Sequence, residues 1–387
     1  MIPPHQRQDT IARVFQKRFG KPPQFWCRAP GRVDLMGSHT DYNLGAVLTL
    51  PIGRDTWIAA RPNHTRTVNL HSLNLNADAS FSLDSSIKNT NQSWIDYVHG
   101  VAEALQEEGM LLEGFDGAIH STVPLSSGLS SSAALECAAA TVFETLGGWN
   151  LAPLQKALLC QRAENRYVGV NCGILDQFTS CMGQEGCALV LDCRDLSSKT
   201  VAIAEGISIV ICDTKSKREL AGSEYGERRA QCEEGTRLLG AAALREVTLA
   251  QFAAREHELP VIVAKRCRFI LEEHARVYAL ADALTTNDCA AIGELTAASF
   301  AGAGNLYEIA APAMHAMMAA MLAAPGVIGA RQAGAGFGGC MVAFVDEPLV
   351  DAFAAAVRTH YATAAGIAAE VYQVSAAAGA GMMEEFR

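Results

Sequence analysis

GRVDLMGSHTDYNLGAVLTLPIG, residues Gly31 to Gly53, sets Arg32, Asp34, His39, Asp41 and Tyr42 among small and apolar neighbours. A packed strand has no use for so many hydrogen-bonding side chains in so short a span, since each one taken from water must find a partner. The stretch therefore reads as the wall of a site. AVLTLPI and, just beyond it, TWIAARP are short, rich in β-branched or aromatic residues, and bounded by Gly and Pro, so each reads as a strand.

Further along, strand-like and helix-like segments follow one another without a regular βαβ period. WIDYVHGVAEALQEEGM carries apolar residues at helical spacing with Gly109 near its end. FDGAIHSTVPLSSGL leads into SSSAALECAAATVFETLGG, a helix opened by serines and closed by Gly147 and Gly148. APLQKALLCQRAENRYV reads as one more helix, and ALVLDCRDL and GISIVICDT as buried strands. The second half is richer in alanine, a helix former, with helices around KRCRFILEEHARVYALADAL and APAMHAMMAAMLAA. It returns to strands at CMVAFVD and AAEVYQVSA. Mixed order over 387 residues and 41.1 kDa predicts an α+β protein of two domains. The boundary is placed between Met182 and Gly206, giving residues 1–190 and 191–387, with the last strand able to return to the first domain.

Composition narrows the function. A net charge of -10 and a pI near 5.5, with no stripe of Lys and Arg, exclude nucleic acid as the partner, because phosphate backbones demand a basic footprint. The first residues, MIPPHQRQDTIARVFQKRFG, lack the apolar core of a signal peptide, and no uncharged apolar run approaches the ~20 residues of a membrane span. A cytoplasmic protein that binds small molecules, acting as a monomer without a membrane partner, is expected. The twelve cysteines are scattered, and the densest group, Cys172, Cys181, Cys187 and Cys193, lacks the close pairs of a zinc site, so reduced thiols packed as small hydrophobes are expected.

Four further stretches carry chemistry. In VPLSSGLSSSAALE a loop of Ser126, Ser127, Gly128, Leu129, Ser130, Ser131 and Ser132 feeds a helix, and free backbone N–H groups at a positive dipole end make an anion site. One serine would suffice as a cap; this loop has more than capping needs. RQAGAGFGGCMVAF matches the dinucleotide fingerprint at Gly334, Gly336 and Gly339, but a strand follows where that fingerprint needs a helix, so a strand–turn–strand in close approach to a ligand or another segment is predicted. AENRYVGVNCGILDQFTS offers Glu164 on a helix and Asp176 in an apolar setting, where a carboxylate must be paired, either in a structural ion pair or for catalysis. SEYGERRAQCEEG supplies Tyr225, Arg228 and Arg229 on a helix that by itself reads as a solvated charged face. Together these are the parts of a phosphoryl-transfer site.

In this order the motifs resemble those of the GHMP small-molecule kinases. The opening stretch, CGILDQ, SEYGERRAQCEE and RQAGAGFGGC resemble the galactokinases in particular, over nearly the whole chain from Arg28-Ala29-Pro30 to VYQVSAAAGAG. The resemblance implies two α+β domains with the site in the cleft between them, and transfer of phosphate from ATP, with Mg²⁺, to the anomeric hydroxyl of a galactose-configured sugar. It implies sugar contacts from His39, Asp41 and Tyr225, Asp176 at the anomeric hydroxyl, and Arg32 paired with it. It further implies that Ser126 and Gly128 to Ser132 cradle the phosphates, that Ser132 and Glu164 hold Mg²⁺, and that the turn around Gly336 closes over the ligands. Two positions depart from the galactokinase pattern. Galactokinases usually carry Glu, which reaches the C6 hydroxyl, where Ser38 stands, and Asn where Asp34 stands. Small residues at the first position and Asp at the second resemble plant arabinokinases, and galacturonate kinases are also small at the first. A roomier and less acidic C6 region is expected, with L-arabinose or galacturonate as alternative substrates. A sugar- and ATP-binding sensor without turnover is the alternative of another class.

Overall fold

The structure, a computed structural model, describes residues 3–88, 92–125, 127–216 and 221–383. Two antiparallel-dominated sheets, each backed by helices, give the expected α+β architecture. In the first, β1 (Phe25–Met36) and β2 (Ala46–Pro62) form the spine, followed by β3 (Thr67–Ser72), β4 (Ala77–Ser82), β5 (Phe115–Ser121), β6 (Cys187–Asp192) and β7 (Ser198–Ala202). The second is β8 (Ile207–Asp213), β9 (Val327–Gln332), β10 (Cys340–Asp346) and β11 (Glu370–Val374), in spatial order β11-β8-β10-β9. A short β12 (Gly381–Met382) returns to pair with β1.

Sequence punctuation misled in three places. AVLTLPI and TWIAARP are one strand, β2, which keeps β1 on one edge while its other edge passes from β6, paired at Ala46–Thr49, to β5, paired at Thr56–Pro62. Pro51 and Gly53 lie at that change of partner, where a missing N–H or side chain interrupts least. The first sheet also continues to β7, so a cut at 190 and 191 falls inside β6. The segment from Pro153 is α-helical only to Arg162; Ala163–Val168 is a π turn, in which both Gly169 N–H and Val170 N–H reach the Glu164 carbonyl.

The helices Asp96–Glu107, Ser131–Gly147, Pro153–Arg162 and Leu175–Met182 cover one face of the first sheet and share with it a core of Ala, Val, Leu and Phe side chains. The helix Pro4–Phe19 lays Ile11 and Phe15 on Trp26 and Trp57 at the other face. A second core, drawing Val33, Leu48 and Leu50 against Ile209, Ile211, Leu280 and Phe344, joins the two sheets. All twelve cysteines are free and only Cys289 is exposed. No helix among the described residues is long and apolar enough to cross a membrane.

One buried group is at odds with its surroundings. Gln332 on β9 is fully buried, and neither its amide nitrogen nor its oxygen has a hydrogen-bond partner among the described residues. By strand alternation it shares a face with Ala330, which packs into a cluster of Met314, Met317 and Met341. An unsatisfied buried amide costs about 1–3 kcal/mol. Gln332→Met, close in shape and apolar, is expected to raise Tm by a few degrees in a thermal melt; a lowered Tm would mean the amide is bonded after all.

Candidate active site

A cavity of about 710 Å³ opens between the two sheets. Its wall is built from β1, the loop and first turn of the helix Ser131–Gly147, residues 169–176, the helix Ala221–Leu239 and the turn after β9. Arg32 and Asp34 stand two apart on a regular part of β1, so both face the cavity while Val33 between them is core.

Arg32 organises the centre. Its Nε donates to Asp176 Oδ1 at 2.9 Å, its Nη2 contacts the same oxygen, and its Nη1 donates to the Gly128 carbonyl at 2.7 Å. Its backbone N–H donates to the Leu129 carbonyl at 3.1 Å. Asp176 sits in the first turn of the helix Leu175–Met182, where the helix dipole favours a negative charge. One guanidinium thus joins the aspartate to the serine-rich loop.

That loop is not the serine cap that opens an ordinary helix. Ser130 takes a left-handed conformation at the N-cap (φ 61°), makes no capping bond, and leaves its buried hydroxyl without a partner. The first-turn N–H groups, which have no acceptor inside any helix, remain for an anion. Ser131 and Ser132 lie on the cavity wall beside Gly128. Leu129 is core, contributing only its carbonyl, and Ser126 lies outside the described residues.

Glu164, in the π turn, reaches Ser132 from the far side. It is hydrogen-bonded to Ser132, to the Cys172 thiol at 3.4 Å, and to Gln177 Nε2 at 2.5 Å. Burial, and then the charge of Asp176, push its carboxyl up to about 7. Gln177 Nε2 also donates to Glu136 at 2.9 Å, and burial lifts Glu136 well above the usual carboxylate range.

The opening stretch supplies the other end. Asp41 faces the loop 169–176 so closely that a Cβ on Gly173 would collide with its carboxylate. Burial raises its carboxyl to about 6, with Asp176 adding to the effect. His39 Nε2 donates to the Ala335 carbonyl at 2.9 Å, so in the neutral ring Nδ1 accepts from Tyr42 Oη at 2.8 Å. Burial lowers the His39 pKa to about 4, which keeps the ring neutral. Tyr42 in turn accepts from Tyr307 at 2.8 Å, fixing the direction of the chain. Both His39 nitrogens are therefore engaged within the protein, and the ring presents its surface to the cavity. Tyr225 packs on it, ring centroids 5.2 Å apart.

Two residues expected to touch the sugar sit behind the wall instead. Ser38 is buried; its hydroxyl accepts from Arg331 Nη2 at 2.8 Å and lies 2.9 Å from Asp34 Oδ2 and 3.1 Å from the Gly334 carbonyl. Gly336, at φ 81°, packs against Ile309, where a Cβ would come within 2.8 Å of its backbone oxygen and side chain. Ser38 is thus held behind the wall by Asp34, Arg331 and the Gly334 carbonyl rather than lining the cavity. Conversely, Arg229, read as part of a solvated face, lines the cavity, its guanidinium 5.8 Å from the Tyr42 ring. Asp34 lines it too. Only the unusual density of polar residues in the opening stretch hinted at Asp34; nothing local to the sequence marked Arg229 or Gln177.

Comparison with known proteins agrees with this geometry. The GHMP kinase N-terminal domain model matches residues 96–184, the galactokinase galactose-binding signature residues 13–62, and the GHMP kinase C-terminal model residues 280–363. The chain is 41% identical to the galactokinase of Chloroflexus aggregans over 375 residues, 96% of each chain. It is 41% identical to that of Chloroflexus aurantiacus over 362 residues, 92% of this chain and 93% of the relative. Its structure superposes on Lactococcus lactis galactokinase complexed with galactose with a TM-score of 0.93 at 33% identity, covering 97% of this chain and 99% of the other. A mevalonate kinase at 16% identity shares the fold, with a TM-score of 0.65 over 94% of this chain and all of the other. With the paired aspartate, the uncapped helix end and the glycine turn gathered on one cavity, the chain belongs to the GHMP kinases as a galactokinase-like phosphotransferase that acts on an alcohol group.

Proposed function

We propose that the enzyme transfers the γ-phosphoryl group of ATP to the anomeric hydroxyl of galactose, or of a galactose-configured monosaccharide, giving the sugar 1-phosphate and ADP. The observation that carries this reading is the Arg32–Asp176 pair on the same cavity wall as the uncapped end of the helix Ser131–Gly147. Phosphate oxygens held by the first-turn N–H groups would lie near the aspartate, because Arg32 joins Asp176 to the Gly128 carbonyl of that loop. Asp176 orients the sugar hydroxyl and accepts its proton as the sugar oxygen bonds to phosphorus and the bond to ADP breaks. Arg32 keeps the carboxylate aimed. Such a site works by positioning and by stabilising charge rather than by covalent chemistry.

Mg²⁺ suits the residues present. It takes one or two protein oxygens with water and substrate phosphates rather than a full protein cage, and the Glu164 carboxylate hydrogen-bonded to Ser132 offers such oxygens. Ser132 and Glu164 would hold it, and the mutual repulsion of Glu164 and Asp176 is what a cation relieves. Bound there, the ion would supply neutralisation of charge on the transferring phosphates.

The alternative substrates separate on one residue. A galacturonate carboxylate would meet the buried Asp34, a like charge, whereas L-arabinose brings no charge, so the pentose is the stronger competitor of galactose. The sensor reading is disfavoured by the complete set of Arg32, Asp176, Ser132 and Glu164.

ADP release measured across galactose, L-arabinose, galacturonate, glucose and N-acetylgalactosamine tests the proposal; galactose is expected to be preferred, and no turnover with any of them would sink it. Asp176→Asn is expected to lower kcat by about 10²–10⁴-fold while ATP still binds, and retention of most of the turnover would make Asp176 structural. Glu164→Gln should raise the Mg²⁺ concentration needed for half-maximal rate without altering sugar preference; a changed preference would remove Glu164 from the phosphate side. Asp41 accepts a sugar hydroxyl most strongly as a carboxylate, and its pKa is raised to about 6, so below that pH the free enzyme carries it protonated. At saturating ATP and Mg²⁺, kcat/KM for galactose should fall as pH drops through about 6, and Asp41→Asn should flatten that limb. An acid limb unchanged in the variant would assign it to another group.

A further inference from the structure

Asp34 is 1% exposed, lines the cavity, and has one carboxylate oxygen, Oδ1, without a hydrogen-bond partner among the described residues. Its other oxygen, Oδ2, is bonded to the Ser38 hydroxyl at 2.9 Å. The nearest cation, Arg331 Nη1, stands 3.8 Å from Oδ1, beyond hydrogen-bond reach, and gives its bond to the Asp34 backbone carbonyl at 3.3 Å instead. A buried carboxylate oxygen left this way is costly, and the structure around it does not relieve the cost.

Three observations say what would. Behind the wall Arg331 and Arg276 already serve Glu273, and burial pushes the Asp34 carboxyl up although Arg331 and then Arg32 oppose it. A hydroxyl donor on Oδ1 relieves that cost without bringing a further charge into the core. Ser38, the neighbour whose hydroxyl might have served, has its single proton committed to Asp34 or to the Gly334 carbonyl and its lone pairs to Arg331. Finally, Asp34 is two residues from Arg32 on a regular strand, about 7 Å along it, a step that matches a pyranose ring with its hydroxyls. Arg32 marks the anomeric end through Asp176.

We infer that Asp34 Oδ1 accepts a hydrogen bond from a hydroxyl on the side of the sugar ring away from the anomeric carbon, and so is a specificity-determining residue of this site. The inference rests on the sugar 1-kinase reading above. It assigns Ser38 a different part, as the strut that aims the Asp34 carboxylate.

The test pairs one variant with a set of deoxy sugars. kcat/KM is measured for wild type and Asp34→Ala, at saturating ATP, with galactose and its 2-deoxy, 3-deoxy, 4-deoxy and 6-deoxy forms. Wild type is expected to lose about 10- to 100-fold with one of the 3-, 4- or 6-deoxy sugars, as for a missing partner of a buried polar group, and to lose it through KM. Asp34→Ala, which removes the acceptor, should lose a similar factor with galactose, should no longer distinguish galactose from that one sugar, and should keep the wild-type KM for ATP. Equal losses by Asp34→Ala on every sugar would make Asp34 structural and overturn the inference. So would unchanged kinetics in the variant. If Asp34→Ala does not fold, the wild-type series still decides, because a wild type indifferent to all of the 3-, 4- and 6-deoxy sugars has no such contact. A wild type that phosphorylates no sugar at all fails the kinase reading itself, and the inference falls with it.

Discussion

Arg331 has no exposure to solvent, and the two sheets meet around it. A buried guanidinium is tolerable only when its donors are filled and its charge is matched. Here Nη2 donates to Glu273 and to Ser38, both at 2.8 Å, Nε to Ser299 at 3.1 Å, and Nη1 to the Asp34 carbonyl at 3.3 Å. β9 brings Arg331 from the second sheet, β1 and its following turn bring Asp34 and Ser38 from the first, and the helices Val261–Thr286 and Cys289–Asn305 bring Glu273 and Ser299. Glu273 extends the network to Arg276 at 2.9 Å and to the Gly37 N–H at 3.2 Å. Burial pushes the Glu273 carboxyl up, but Arg331 and Arg276 outweigh it and hold it below its usual range. Directional bonds to so many elements give the floor of the cleft one arrangement, which apolar packing of equal strength would specify less sharply.

That dependence explains which parts of the molecule could be read from its residues. Elements with a clear period were legible: the helices Ser131–Gly147 and Val261–Thr286, and the strands β8 and β10, are stretches of sequence whose apolar pattern decides their state. β7, SKTVA, buries only Val201 and so carries no alternation to detect. The turn into a π helix at Ala163 is set by what Glu164 must reach, not by local propensity. In the site, Arg32, Asp41, Asp176 and the serine loop stood out because polar groups in apolar company need a reason, whereas Tyr225 was marked only by the resemblance of its stretch. Whether such a group faces the cavity or lies behind it depends on contacts hundreds of residues away. Ser38 is turned inward by Arg331, and Gly336 is pressed on Ile309, so neither assignment was available from spacing. Arg229 erred the other way: a helix face that looks solvated in isolation is solvated only if no second domain stands opposite it.

The catalytic half of the cleft is fixed by a different device. Asp176 and Gln177 are consecutive on the helix Leu175–Met182, about 100° apart around its axis, so one reaches the cavity while the other enters the core. Gln177 is fully buried and its amide nitrogen donates to both Glu136 and Glu164. Glu136 lies four residues after Ser132, one turn deeper in the helix whose end faces the cavity. Two carboxyls sharing one amide cannot both carry full charge so close together in the core. Burial, followed by the charge of Glu164, raises Glu136 well above its usual range, and Glu164 itself is raised to about 7. The open end of the helix Ser131–Gly147 and Asp176 are therefore tied through buried side chains on two packed helices rather than through the loops beside them. A separation held by helix packing varies less than one held by loops, which is what the proposed in-line transfer asks of these two groups.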